Sequence, residues 1–248
     1  GESETAENAG LLFDSIRRRL LPLGDQALVW PAHGAGSPCG GDLPDRDPTT
    51  LGVERAYNPA FVHERDAFVA AKKRERIPRP PYFTRAADVN GDGGLPPGRA
   101  STSIAMLAPA RFASAAKDAV VLDTREPEAF AGGHVPGAIN IWSKGLSLFA
   151  GWFVQPEDRV FLVVPDASDV DAVVRSLARV GIDRIEGVLA GGFGAWRNAG
   201  MPIGRARTTD PRELEEHLPR TTVLDVRADD EIASGRIPGA LPVYVGRL

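Results

Sequence analysis

The sequence has a single cysteine, no long apolar run and no excess of basic residues. One cysteine, Cys39, cannot form a disulfide within its own chain, which favours a reducing compartment. No apolar run approaches the roughly 18–20 residues that cross a bilayer as a helix. The 29 basic residues are outnumbered by 33 acidic ones, and this excludes a nucleic-acid binder that depends on a general positive field. We therefore expect a globular cytoplasmic protein with no membrane or nucleic-acid partner.

The first 88 residues contain helix and strand patterns but too few elements for a closed core. Apolar residues within 11–21 form a helical stripe, residues 27–30 predict a short strand, and residues 63–76 predict a second helix. Residues 40–62 are rich in glycine, proline and aspartate and are predicted to be loop with one helical turn. Because these elements cannot bury both faces of a sheet, the segment requires further partners.

Residues 89–100, VNGDGGLPPGRA, have the composition of a flexible linker, and strands and helices are predicted to alternate after residue 101. Strands are predicted at 120–123, 138–141, 159–164 and 185–189, and helices at 126–131, 170–180 and 191–199. Alternation of this kind predicts an α/β fold, a parallel sheet with helices on both faces.

An internal repeat occupies part of this region. VVLDTREPEAFAGGHVPGAINI at 120–141 recurs as VLDVRADDEIASGRIPGALPV at 223–243. Both copies combine a strand, an Asp-x-Arg motif, a short acidic helix and a Gly-x-[Val/Ile]-Pro-Gly-Ala turn. A repeat this specific indicates two copies of one structural unit. Asp123 and Arg125 are interpreted as a hydrogen-bonded pair that supports the fold.

Three segments of the chain resemble known families. LDTREPEAFAGGHVPGAINI, followed by GGFGAWRNAGMP at 191–202, resembles the two signatures that bracket a rhodanese domain, and VLDVRADDEIASGRIPGA resembles the first half of a second one. Upstream, LLFDSIRRRLLPLGDQALVWPAHGAGSPCG resembles the end of a metallo-β-lactamase-fold domain of the persulfide dioxygenase branch. The order of the segments is similar to that of bacterial fusions of a persulfide dioxygenase with two rhodanese domains.

The resemblance implies four regions. They are the C-terminal part of a metallo-β-lactamase αββα domain (1–88), a linker (89–100), a rhodanese-like domain (101–205) and the N-terminal part of a second rhodanese-like domain (206–248). It also implies that the parent protein oxidises glutathione persulfide to sulfite with iron(II) and O2. We expect the first region to contact the missing part of its own domain or a second copy of the chain.

Rhodanese chemistry requires a thiolate that accepts sulfane sulfur at the start of a loop between a strand and a helix. The resemblance places this thiolate at or beside Val164 and Pro165, where the sequence has no cysteine. Aspartates in the same loop would repel an anionic sulfur donor. We therefore predict that the rhodanese-like domain is inactive and interpret the loop as vestigial. Its residues are Val164, Pro165, Asp166, Ala167, Ser168 and Asp169.

The metal-binding residues of the dioxygenase branch are mostly absent. The four histidines are His33, His63, His134 and His217, and no two are spaced to chelate one ion. The resemblance assigns His33, in the PAHG turn, to a second-metal or site-lining position. It matches Cys39 to a motif cysteine, which we interpret as a loop thiol. Iron(II) is expected in the parent, or zinc if the parent is a hydrolase, and this chain alone is expected to bind neither.

Two alternative functions remain open at this point. One is a noncatalytic interaction or scaffold module, which the missing nucleophile and missing metal loop favour. The other is a metallohydrolase of the glyoxalase II type, because the same fold and the same histidine turn serve thioester hydrolysis. Fold alone cannot distinguish these chemistries.

Overall fold

The computed structural model describes residues 2–32, 48–75, 80–92 and 104–248. Contacts divide the chain into two compact units, Gly1–Pro78 and Arg79–Leu248. Helix α5 covers Tyr82–Asp92, so residues 89–92 are helical and not part of a linker as predicted. A single interior glycine, Gly91, costs a helix only about 1 kcal/mol relative to alanine and does not end it. Residues 93–100 lie outside the described part of the chain.

The first unit consists of one long helix and several short ones around a small apolar core. Its helices are α1 (Glu2–Leu20), α2 (Leu51–Tyr57), α3 (Pro59–Val62) and α4 (Arg65–Arg74), and strands β1 (Leu28–Val29) and β2 (Thr49–Thr50) pair antiparallel. Phe13 of α1 packs on Phe68 of α4, with ring centroids 5.5 Å apart. Helices α1 and α4 confirm the two predicted helices.

The described part of the predicted loop 40–62 is largely helical. Thr50 begins α2 by accepting a hydrogen bond from the Val53 N–H, and Asn58 begins α3 by accepting one from the Ala60 N–H. These two side chains cap helices that composition alone assigned to loop. The expectation of one helical turn was therefore wrong for residues 51–62.

The second unit is built on a five-stranded sheet in which every pair of neighbouring strands is parallel. The strands are β3 (Ala105–Leu107), β4 (Val120–Asp123), β5 (Ile139–Asn140), β6 (Val160–Val163) and β7 (Ile185–Leu189). Their spatial order is β3-β7-β6-β4-β5. Strand β6 is central and all four of its residues are buried, as expected when helices cover both faces.

Helices pack on both faces of this sheet, which confirms the predicted α/β architecture. They are α6 (Pro109–Ala115), α8 (Leu146–Phe153), α9 (Val170–Ala178) and α10 (Gly192–Asn198). The short helix α7 (Pro127–Gly132) follows β4 and has no buried residue. Side chains alternate along β6, so Leu162 joins a core with Leu146 of α8 and Leu177 of α9. Phe161 joins the opposite core with Phe112 and Trp196.

The second copy of the repeat forms a smaller sheet in the same unit. It contains α11 (Pro211–His217), β8 (Leu224–Asp225), α12 (Asp229–Ala233) and β9 (Leu241–Pro242), with β8 and β9 parallel. Tyr244 packs edge-on against Trp152 of α8, with ring centroids 5.4 Å apart. Burial at this contact raises the pKa of the Tyr244 hydroxyl, and the charge of Glu231 adds to the shift.

None of the helices in the described ranges combines the length and the hydrophobicity that crossing a membrane requires.

Candidate functional site

The loop interpreted as vestigial lies where the central strand β6 ends and helix α9 approaches. Val164 is buried, whereas Pro165, Asp166, Ala167 and Ser168 are exposed. One 3-10 turn, Ala167–Asp169, leads directly into α9. Ligands of open parallel sheets bind outside the carboxyl ends of the strands. The structure therefore places the loop at an edge where a bound substrate would be expected.

Asp166 occupies this edge with its own carboxylate. Oδ1 accepts hydrogen bonds from the Ser168 N–H at 2.8 Å and from the Ser168 hydroxyl at 2.7 Å. The main-chain bond, and then the hydroxyl bond, lower the pKa of Asp166 below its usual value. The carboxylate is thus ionised at neutral pH and uses donors that would otherwise face an external anion. An anionic sulfur donor would meet a fixed negative charge.

Ser168 is not activated as a nucleophile by this arrangement. Its hydroxyl donates to the carboxylate that caps the turn, and His134 belongs to a different turn. The His134 ring stacks on Phe130 at 3.8 Å, and its Nδ1 lies 2.9 Å from the Phe130 carbonyl oxygen. His134 therefore contacts its own turn through Phe130 and does not act on Ser168.

A glycine turn between β7 and α10 lies against the loop. Gly191 and Gly192 have φ of +71° and +59°, a backbone conformation that side chains with a Cβ rarely adopt. A Cβ on Gly192 would lie 3.2 Å from the Val164 carbonyl oxygen. The two glycines therefore bring the start of α10 close to the end of β6.

The Asp123–Arg125 pair lies at the same edge, and its hydrogen bonds are made within the fold. Arg125 donates from Nε and Nη2 to the Asp123 carboxylate, with a shortest distance of 2.6 Å, and its Nη2 also donates to the Gly133 carbonyl oxygen at 2.8 Å. The guanidinium carbon lies 4.4 Å from the ring centroid of Phe193. The Asp123 side chain is fully buried, so the predicted pairing is confirmed.

Sequence reasoning missed three polar residues that follow or end strands at this edge. Asn140 donates from Nδ2 to the carbonyl oxygens of Asp123 and Arg125. The Thr124 hydroxyl donates to the Val163 carbonyl oxygen, and the Ser143 hydroxyl donates to that of Thr124. The sequence feature that could have revealed them is a polar residue at or shortly after the end of an apolar strand. All three side chains join the strand ends through main-chain carbonyl groups.

The described residues do not provide the metal site that the resemblance implies for the parent. His33 and Cys39 lie outside the described part of the chain. Within residues 2–32, 48–75, 80–92 and 104–248, no three or more His, Cys, Asp or Glu side chains are arranged to hold a metal ion. We therefore derive no chemical step through iron or zinc.

Comparisons with known proteins support part of the sequence interpretation. Residues 109–199 match the family described as Rhodanese-like domain. A putative thiosulfate sulfurtransferase from Synechococcus elongatus is 30% identical over 170 residues, which cover 50% of this chain and 52% of that protein. The chain therefore spans about half the length of the curated relative it matches.

One solved structure is similar over a larger part of the chain. The crystal structure of a metallo-β-lactamase from Staphylococcus aureus matches with a TM-score of 0.58 and 25% identity, covering 75% of this chain and 51% of that one. The family match and the five-stranded parallel sheet agree for one part of the molecule. Residues 109–199 form a rhodanese-like domain.

Proposed function

We propose that this chain is part of a sulfur-metabolising fusion protein in which a persulfide dioxygenase of metallo-β-lactamase fold is joined to rhodanese-like domains. The match of residues 109–199, the thiosulfate sulfurtransferase relative and the metallo-β-lactamase neighbour support this proposal. The PAHGAGSPCG motif supports the dioxygenase branch over the hydrolase branch. Glutathione persulfide is the proposed substrate of the whole protein, and the cytoplasm is its proposed location.

Exposed apolar side chains of the first unit fit this proposal. Trp30 is 71% exposed, Leu28 is 66% exposed, and Leu11 and Leu23 are also exposed. Burial of such side chains stabilises a protein by roughly 1.5–3 kcal/mol each. We propose that, in the whole protein, the remainder of a metallo-β-lactamase-fold domain covers these side chains, and that residues 1–88 are the C-terminal part of that domain.

Within the fusion, the rhodanese-like domain is a noncatalytic module that positions its neighbours. The observation that carries this part of the proposal is the loop after β6. It has no thiol at its start, and its Asp166 carboxylate takes the Ser168 N–H and hydroxyl bonds. Sulfur transfer needs a thiolate at this place and open donors for the anionic donor substrate.

Incubation with thiosulfate and cyanide tests the inactive domain. We expect no thiocyanate above the buffer blank from the unaltered chain or from Asp166→Asn, because neither has a nucleophilic thiol in the loop. If repulsion of the substrate by the Asp166 carboxylate were the cause of inactivity, the asparagine variant would form thiocyanate. If the missing thiol is the cause, it would not. Thiocyanate formation by the unaltered chain, reduced when Ser168 is changed to alanine, would show that the hydroxyl replaces the thiol and would overturn the proposal.

Oxygen uptake by the intact parent protein tests the dioxygenase activity. With iron(II) bound, addition of glutathione persulfide is expected to consume O2 and release sulfite. Hydrolysis of a glutathione thioester by the zinc-bound parent, without oxygen uptake, would instead establish the glyoxalase II-type activity.

A further inference from the structure

A polar pocket lies at the amino-terminal edge of the five-stranded sheet, the edge opposite the loop after β6. Its volume of about 620 Å³ is within the roughly 300–1,000 Å³ of small-molecule sites. Its lining includes Arg85 of α5, Pro156 before β6, and Gly181 and Asp183 before β7. All of these residues belong to the second unit. The pocket is therefore separate from the candidate site described above.

Arg85 brings an unpaired guanidinium to this pocket. The side chain is half-buried, its Nη1 is buried, and none of its nitrogens donates to another described residue. Desolvated charges in proteins are normally paired, because burial without a partner raises the free energy of the fold. Arg85 therefore indicates an anion that the described residues do not supply.

Packing against a glycine holds this guanidinium in place. A Cβ on Gly181 would lie 3.2 Å from Cζ of Arg85 and 3.3 Å from its Nη1. The N–H groups of Gly181 and Ile182 donate to carbonyl oxygens in the last turn of α9, so Arg85 is not needed to cap that helix. The end of a helix carries only about half an elementary charge. The charge of Arg85 is therefore left partly uncompensated.

One further charged group of the pocket is unused. Glu186 accepts from Nε of Arg159 at 2.9 Å, and its other carboxylate oxygen lies 3.3 Å from Nε of Arg184. Arg184 also donates from Nη1 to the Glu157 carbonyl oxygen at 3.0 Å. The Asp183 carboxylate, in contrast, accepts no hydrogen bond and forms no ion pair within the described residues. The pocket thus offers one unused cation and one unused anion.

We propose that this pocket binds a small zwitterion, an amino acid or a short peptide, between Arg85 and Asp183. Nε and Nη2 of Arg85 would bind its carboxylate by two parallel hydrogen bonds, a geometry typical of guanidinium groups. Its ammonium group would donate to Asp183. The Cα atoms of Gly181 and Asp183 are at most about 7.6 Å apart, twice the spacing of consecutive Cα atoms. The two charges therefore lie within reach of one small ligand.

Titration of the unaltered chain with dialanine, followed by amide chemical shifts in NMR, tests the site. Dialanine has one carboxylate, one ammonium group and no charged side chain. We expect saturable shifts of the Gly181 and Asp183 amides with a Kd of about 1 mM or below. Acetylation of the amino group or amidation of the carboxyl group should each weaken binding by at least about tenfold, as the loss of a charge-assisted hydrogen bond does. Binding of L-alanine more tightly than dialanine would identify an amino acid as the ligand, and the reverse order a peptide.

Arg85→Gln removes the proposed carboxylate partner and should weaken dialanine binding by at least about tenfold. The matched control, Arg197→Gln, removes an exposed arginine from α10, on the opposite face of the sheet, and should bind as the unaltered chain does. Unchanged amide shifts of β6 show that Arg85→Gln retains the fold. If that variant does not fold, the blocked forms of dialanine test the site on the unaltered chain.

Three results would overturn the proposal. They are the absence of saturable shifts at Gly181 and Asp183 with both alanine and dialanine, equal binding of dialanine and either blocked form, and equal binding by folded Arg85→Gln and the unaltered chain. None of these measurements involves the loop after β6 or a metal ion. Failure here would therefore leave the proposed function unchanged.

Discussion

The two copies of the repeat have the same local structure in very different surroundings. In each, an arginine two positions after an aspartate donates to that carboxylate and to the glycine carbonyl eight residues further on. Leu122 of the first copy is fully buried, whereas Leu224 of the second is 48% exposed. The hydrogen bonds are therefore local properties of the repeat, whereas burial comes from strands and helices elsewhere in the chain.

Removal of the aspartate should produce the largest difference between the copies. Asp123→Ala leaves the Arg125 guanidinium beneath Phe193 without its counter-charge, and breaking a buried pair in this way costs about 3–5 kcal/mol. Asp225→Ala should have a much smaller effect, because water reaches Arg227. The free energy of unfolding from urea titration measures both. Equal losses would show that surroundings do not set the strength of the pair.

Truncation of the matching leucines tests apolar burial alone. Leu122→Ala is expected to destabilise the protein by about 2–5 kcal/mol, since it leaves a cavity between β4 and its neighbours. Leu224→Ala should change the free energy of unfolding by no more than about 0.5 kcal/mol.

The two leucines occupy corresponding registers, so each serves as the control for the other. Equal losses of stability in the two variants would contradict the difference in burial.

Acid should destabilise the second copy by less than either buried mutation of the first copy destabilises the protein. The side-chain hydrogen bond from Arg227 lowers the pKa of Asp225. A carboxyl whose pKa is lower in the folded state stabilises that state above its unfolded pKa, and this contribution is lost as the pH falls through the folded value. Protection of residues 223–227 should therefore decrease below about pH 4. Hydrogen exchange at several pH values, corrected for intrinsic rates, measures it.

Asp225→Asn is the control for the acid experiment. The amide has no charge to titrate, so the protection of this variant should depend less on pH over the same range. The same pH dependence in both proteins would assign the acid effect to another group.

Much of the second unit could be predicted from the sequence. Strands β4 and β6 are short apolar runs, and β7 begins and ends with apolar residues, which is typical of buried parallel strands. Helix α9 combines such residues with polar ones at helical spacing. Helix α8, LSLFAGWF, was missed because it is apolar all round and has no polar face to reveal its period.

The candidate site was only partly predictable. The absence of a thiol after β6 is evident from the residues alone. The use of the Asp166 carboxylate as a cap for Ser168 required the structure, as did the approach of Gly192 to the Val164 carbonyl. These contacts depend on backbone angles and on strand neighbours that sequence spacing does not determine.

By itself, the sequence determined the repeat, the Asp-x-Arg pairing and the missing nucleophile, because each depends on residue identity within a short segment. Only the tertiary structure decided which copy is buried. Strand β6 and helix α10 cover the first copy, since the chain after it returns to the sheet. Within the described residues no such segment lies on β8. Burial is a property of neighbours in space, so the same motif is core in one copy and surface in the other.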